Sequence, residues 1–367
     1  MFRFKRLWLL FTYPVALILS LLSSFSSSFS EGYAVTVYRW ISRAGNAFTG
    51  LFPFSLAEFV VFFAIAAVFF FLTVWILKII RSRGTRRNVI GLGILNLCDV
   101  CGVLILLFVL FCGINYGRKP FSEISGLEVR ESSTEELAAL CTELAEEINL
   151  EHSAIHTGED GVMISSFDSF AETAECARST YDKLAAAFPT LTAGYSAPKS
   201  VLLSRVMSQC NITGVFFPFT LEANVNIDVP AYSIPATMCH ELSHLRGYMR
   251  EDEANFLAYL ACRRSDSADF RYSGAMLAFV HANNALFAAD SQLGSETYQL
   301  LCEGAQADFA ANTAYWKQFE GPVAETASKV NDAYLKANRQ EDGVKSYGRM
   351  VDLLLADYRQ RHGLAGS

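Results

Sequence analysis

The chain has two textures. Up to about position 112, apolar residues come in long unbroken runs; beyond it they recur at helical or strand spacing among polar positions. Three runs stand out, at about 7–22, 54–77 and 89–112. Each approaches or exceeds the ~20 residues a helix needs to cross the hydrocarbon core of a bilayer, so the pattern predicts three transmembrane helices in a region spanning 1–117. The first run is short enough to be a signal peptide. It reads as a retained span, because the Ser-rich stretch after it lacks a small-x-small cleavage site and two further runs follow. Residues 118–126 are polar and read as a linker. In the domain that follows, 127–367, spacings of three and four predict amphipathic helices over 135–148 and 170–188, with a further helix over 199–210. Residues 189–198 are turn-rich. The stretch 214–227 is rich in β-formers and is the best strand candidate. After Cys262 the pattern reads helical throughout, over 269–289, 295–319, 324–339 and 347–361, as a helical lobe.

Charge orients the spans. Arg3, Lys5 and Arg6 precede the first, and Lys78, Arg81, Arg83, Arg86 and Arg87 fill the loop between the second and third. Basic residues accumulate on the cytoplasmic side, which puts the loop between spans one and two outside despite Arg39 and Arg43. Everything after about Tyr116 is then extracytoplasmic. Glu58 and Asp99 fall within or near the spans. They read either as functional intramembrane acids or as an interfacial carboxylate and a helix-pairing one. The chain is 52% hydrophobic and 18% charged, and its net charge of −7 gives no reason to expect a nucleic-acid partner.

The chemistry is concentrated in His240-Glu241-Leu242-Ser243-His244. Helix positions i and i+4 share a face, so the two imidazoles can hold one zinc ion, and Glu241 can act as general base on a water at the metal. Ser233 and Pro235 supply a helix start and Gly247 a stop. The acidic first turn of the next helix offers a third ligand. Glu251 is the first choice and Glu253 the competitor, with Asn255 four residues on from Glu251 placed to hydrogen-bond a ligand His. Cys239 projects about 100° away from His240 on the helix, which argues against thiolate coordination. Cys98 and Cys101 read as membrane-helix residues. The six cysteines of the outer domain, Cys141, Cys176, Cys210, Cys239, Cys262 and Cys302, allow up to three disulfides or stay as buried thiols. An oxyanion donor is expected among Tyr347, Tyr272 and His281. His152, His156 and His362 have no partner pattern.

The pair HELSH and EDEANFLAYLA resembles the gluzincin class of zinc peptidases, with Asn255 where that class often has Asp. The wider stretch GVFFPFTLEANVNIDVP, then CHELSHLRGYMREDEANFLAYLAC, then SYGRMVDLLL, resembles the bacterial domain-of-unknown-function 3810 family. The resemblance implies a mainly α chain: three N-terminal transmembrane helices, then a zincin-like α+β metallopeptidase domain with a small sheet and a helical C-terminal lobe. It implies a multi-pass protein of the bacterial cytoplasmic membrane whose zinc domain hydrolyses peptide bonds outside. By analogy with zinc peptidases, an edge strand before the metal helix pairs with extended substrate. Glu222, Asn224 and Asn226 alternate to one face of the predicted strand, and read either as substrate contacts or as a solvated face. Two other readings stand beside the peptidase: a non-catalytic zinc-containing sensor or binding module of the cell envelope, and a structural membrane protein with a chance motif.

Overall fold

The computed structural model describes residues 7–338 and 349–364. A 3-10 turn, Leu7–Phe11, runs into α1 (Thr12–Phe25). The chain continues through α2 (Ser27–Tyr33), a π-helical turn (Ala34–Tyr38) and α3 (Arg39–Thr49) into α4 (Leu56–Arg81) and α5 (Arg86–Phe111). Among the described residues, Leu7–Phe25, α4 and α5 are long and apolar enough to cross a membrane. Val68, Phe69, Phe70 and Phe71 of α4 are exposed, as acyl chains around a span require. Ser55 caps α4 by accepting from the Glu58 N–H at 3.2 Å. Glu58, in the first turn of α4, accepts from the N–H groups of Leu202 and Leu203, both at 2.9 Å. Asp99 is buried within its span, with Oδ1 lacking a hydrogen-bond partner.

The stretch expected to be a linker is packed structure. A 3-10 turn (Gly113–Gly117) leads to α6 (Phe121–Ser125). Arg118 is buried, paired with Glu31 at 2.8 Å and stacked over the Tyr248 ring at 4.2 Å. Phe121 is fully buried against Phe188, Tyr248 and Phe256. The domain that follows is therefore packed against the N-terminal helices.

Next come α7 (Thr134–His152), the hairpin β1 (His156–Thr157) and β2 (Met163–Ile164), α8 (Phe170–Ala187) and a 3-10 turn (Pro189–Leu191). Ser133 and Glu136 form a reciprocal capping box that starts α7. The helix expected over 199–210 is instead β3 (Lys199–Ser200) followed by a short α9 (Ser204–Gln209). The single strand expected over 214–227 is a hairpin of β4 (Gly214–Phe217) and β5 (Glu222–Val225), turned through Leu221 at φ 54°. The sheet order is β3-β5-β4, with β5 in the middle, parallel to β3 and antiparallel to β4.

A 3-10 turn (Ala231–Ser233) then enters α10 (Ile234–Leu245), which carries the metal motif, and α11 (Glu251–Arg263) follows. Every residue of α11 from Asp252 to Cys262 is buried, so α10 and α11 form the centre of the domain. The C-terminal lobe is α12 (Ala268–Ala289), α13 (Ser291–Gln299), α14 (Glu303–Lys317), α15 (Pro322–Ala337) and α16 (Arg349–His362). The helix expected over 295–319 breaks into α13 and α14. Asn149 of α7 reaches across the break, donating to the Leu300 carbonyl and accepting from the Cys302 N–H, both at 2.7 Å. The cysteines are all free in the structure.

Candidate metal centre

Pro235 lies in the first turn of α10, as a helix start requires; Ser233, expected as a cap, instead turns its hydroxyl to the Pro230 carbonyl. The helix ends at Gly247, which adopts φ +84°. Gly247 N–H bonds the His244 carbonyl at 2.9 Å and Tyr248 N–H bonds the Ser243 carbonyl at 3.1 Å, the pattern of a glycine-terminated helix. This reversal has a chemical effect: it swings the Tyr248 carbonyl back to within 2.7 Å of His244 Nδ1. A carbonyl only accepts, so His244 carries its proton on Nδ1 and turns Nε2 into the cleft. Asn255 does the same for His240, its Oδ1 lying 2.7 Å from Nδ1.

Both free Nε2 atoms meet Glu251. His240 Nε2 is 3.2 Å from Oε2 and His244 Nε2 is 3.6 Å from Oε1. Two ligands about 2.1 Å from one tetrahedral ion lie about 3.4 Å apart, so the spacing fits a single zinc. Among the described residues this is the group of three metal-ligating side chains that gathers donor atoms, all within 4.8 Å of one another. Glu253, the competitor, is occupied elsewhere: it accepts from the Phe121 N–H at 2.7 Å and from Arg250 at 2.6 Å. Cys239 is buried in the core on another face of α10.

Glu241 is buried beside this cluster, and its Oε2 has no hydrogen-bond partner. β4 passes so close that a Cβ at Gly214 would come within 2.5 Å of Oε1, so glycine there leaves room for the carboxylate. Burial pushes the Glu241 carboxyl up to about 8, against the lowering influence of His240. Burial pulls His244 down to about 4. For His240 burial also lowers the pKa, but the Glu251 carboxylate at its Nε2 overrides it and holds the imidazole at about 9. Glu251 stays below its ordinary value, because His244 and His240 outweigh its desolvation. Glu251 thus draws positive charge to this spot. A proton on His240 answers that demand, and a divalent cation on the same three atoms answers it as well.

The cluster opens into a cleft of about 630 Å³. The Gly214–Phe216 edge of β4 forms one wall; α12, α14 and α15 of the helical lobe form the other. Glu222, Asn224 and Asn226 do not line it and are neither substrate-facing nor solvated. They lie on or just after the middle strand, β5, and are buried. Glu222 pairs with Lys199 and accepts from the Leu56 and Ala57 N–H groups at the start of α4. Asn224 donates to the Val215 carbonyl, and Asn226 to Ser208 and the Ile212 carbonyl.

The expected oxyanion donors fare differently. Tyr347 lies outside the described residues. Tyr272 is buried with its hydroxyl donated to Asp308 at 2.6 Å. His281 does not line the cleft. Three tyrosines that sequence reading missed do line it, Tyr116, Tyr232 and Tyr334; Tyr116, just past α5, donates to Tyr334 of α15 at 3.1 Å. The signal for Tyr334 was available, since Ala327, Ser328, Asn331 and Tyr334 mark one face of α15 at helical spacing and all four line the cleft.

The family described as "protein of unknown function (DUF3810)" matches residues 33–355, and the chain belongs to it. No curated protein and no solved structure matches the chain.

Proposed function

We propose that this member of the family is a membrane-anchored, zinc-dependent peptidase of gluzincin type, hydrolysing peptide bonds on the extracytoplasmic side of the membrane. The observation that carries this reading is the unpartnered Oε2 of Glu241, buried beside the His240, His244 and Glu251 donors and against an edge strand. A buried carboxylate oxygen with no partner is unfavourable for stability, and such groups persist where chemistry uses them. The pattern of basic residues around the spans supports the extracytoplasmic placement.

His240, His244 and Glu251 would hold the ion, with Asn255 and the Tyr248 carbonyl orienting the two imidazoles. A zinc ion bound there supplies Lewis acidity toward the scissile carbonyl and lowers the pKa of a water. An extended peptide adds to the outer edge of β4, where the Phe216 backbone bonds Glu241, which brings the substrate backbone past that carboxylate. Glu241 takes a proton from the attacking water and returns it to the leaving amine. Tyr334, supported by Tyr116, donates to the developing oxyanion.

The test is zinc content and peptide hydrolysis by the full chain in detergent, with variants beside it. One zinc per chain is expected, lost in His240→Ala and Glu251→Gln. Hydrolysis is expected to fall by orders of magnitude in Glu241→Gln while zinc remains. A folded wild-type chain that binds no zinc overturns the proposal. Stoichiometric zinc with no hydrolysis of any peptide favours the binding module instead.

A further inference from the structure

The segment between the first two spans is amphipathic in the reverse of the usual sense. On α3 and the turn before it, the residues facing the outer domain are Tyr38, Ser42, Asn46 and Thr49, all buried. Each is bonded. Tyr38 donates to the Leu245 carbonyl at 3.2 Å, and Ser42 bonds the Tyr195 hydroxyl at 2.7 Å. Asn46 donates to the Leu221 carbonyl at 2.9 Å and accepts from Ser196 N–H at 2.7 Å. The opposite stripe is apolar and exposed: Val37, Trp40, Ala44, Ala47, Phe48 and Leu51. Trp40 is 68% exposed, Phe48 63% and Leu51 76%.

The position of this stripe identifies what covers it. The segment leaves the first span at Phe25 and re-enters the bilayer at Leu56, so both its ends are tied to the outer membrane boundary. Tyr33 donates to the Leu110 carbonyl in the last turn of α5, which holds the segment's start against the third span as well. A second apolar lip lies at the same level. Leu202, Leu203 and Val206 are exposed, and the N–H groups of Leu202 and Leu203 sit on Glu58 in the first turn of α4.

We propose that α3 lies in the headgroup region of the outer leaflet with its apolar stripe against lipid, and that the Leu202–Val206 lip rests on the same surface. Tryptophan favours this depth, and the Arg43 guanidinium lies 6.0 Å from the Trp40 ring. α3 is thus a saddle between bilayer and metal domain. Tyr38 touches the end of α10 one residue past His244, and Cys112, directly after α5, lines the metal cleft. The seat therefore fixes the cleft at the membrane surface. On the peptidase reading, on which this one clause rests, the substrate is a peptide segment lying close to the bilayer.

Lipid-resident quenchers test the seat without metal or activity. The full chain and its Trp40→Phe variant go into vesicles of phosphatidylcholine brominated near the glycerol or at mid-chain, and the difference between them isolates Trp40. The expected result is that Trp40 loses most of its intensity to bromine near the glycerol, less to mid-chain bromine, and little to aqueous acrylamide. A Leu202→Trp chain carrying Trp40→Phe, read against Trp40→Phe alone, should behave the same way. Quenching by acrylamide alone puts the stripe in water and overturns the proposal. Shielding from both quenchers means that a second copy or another protein covers the stripe, which overturns it too. A failed cleavage assay would sink the peptidase reading and leave this measurement intact.

Discussion

The turn that leads into α3 touches the end of α10, Tyr38 donating to the Leu245 carbonyl, and both helices carry polar residues into the protein interior. The difference lies in what those residues find there. On α3 the buried hydroxyl and amide groups are bonded to the outer domain, and the exposed face is apolar. On α10 each histidine is held at Nδ1 by a neutral acceptor and turns Nε2 to the Glu251 carboxylate at the cleft, and Glu241 Oε2 has no partner. Satisfied buried polar groups hold one element against another; groups left half-satisfied beside a cleft are held in readiness for a ligand.

The largest expected effect falls on α10. Glu241→Gln keeps the shape and loses the base, so hydrolysis should fall by roughly 10²–10⁴-fold while zinc stays at one per chain. Parallel metal analysis and cleavage rates check this, and an active Glu241→Gln chain would erase the functional side of the contrast. Next comes the seat. A peptide anchored in the same vesicle should be cleaved about 10²-fold faster than the same peptide free in solution, through effective concentration. Equal rates would mean that the cleft faces bulk water. Asn46→Leu attacks the satisfied helix. It strands the Leu221 carbonyl and the Ser196 N–H, and should destabilise the outer domain by about 2 kcal/mol, seen as a lower midpoint in denaturant. If it is neutral, the polar face of α3 is not what holds the domain down. The smallest effect is Tyr334→Phe, expected to lower kcat by about tenfold with KM little changed, since an oxyanion donor acts in the transition state. A change in KM alone would make Tyr334 a binding group.

Helical spacing was enough to bring His240, His244, Glu251 and Asn255 onto two facing helices, because each relation is local: four residues apart, or one turn into the next helix. The spans were legible for the same reason, since length and apolarity are properties of a single segment. The strand residues show where that stops. Alternation gives Glu222, Asn224 and Asn226 a shared face but not what lies against it. β5 became the middle strand only because β3 pairs with it from 25 residues upstream, Lys199 against Asn224. Polar composition in 118–126 likewise hid Arg118, whose partner Glu31 lies before the second span. An amphipathic helix such as α3 shows two faces in sequence, and only its neighbours decide which one is inside.

The two carboxylates at the top of α4 are exchanged between membrane and domain. Glu58 of the helix holds the backbone of the domain at Leu202 and Leu203, while Glu222 of the domain holds the backbone of the helix at Leu56 and Ala57. The consequence concerns birth order. When α4 leaves the ribosome, the chain that will supply Glu222 has not been synthesised; the two are 166 positions apart. At about 5–20 residues per second, roughly 10–30 seconds separate them. α4 therefore emerges with its first turn unclamped, and the clasp can close only after Glu222 has been synthesised.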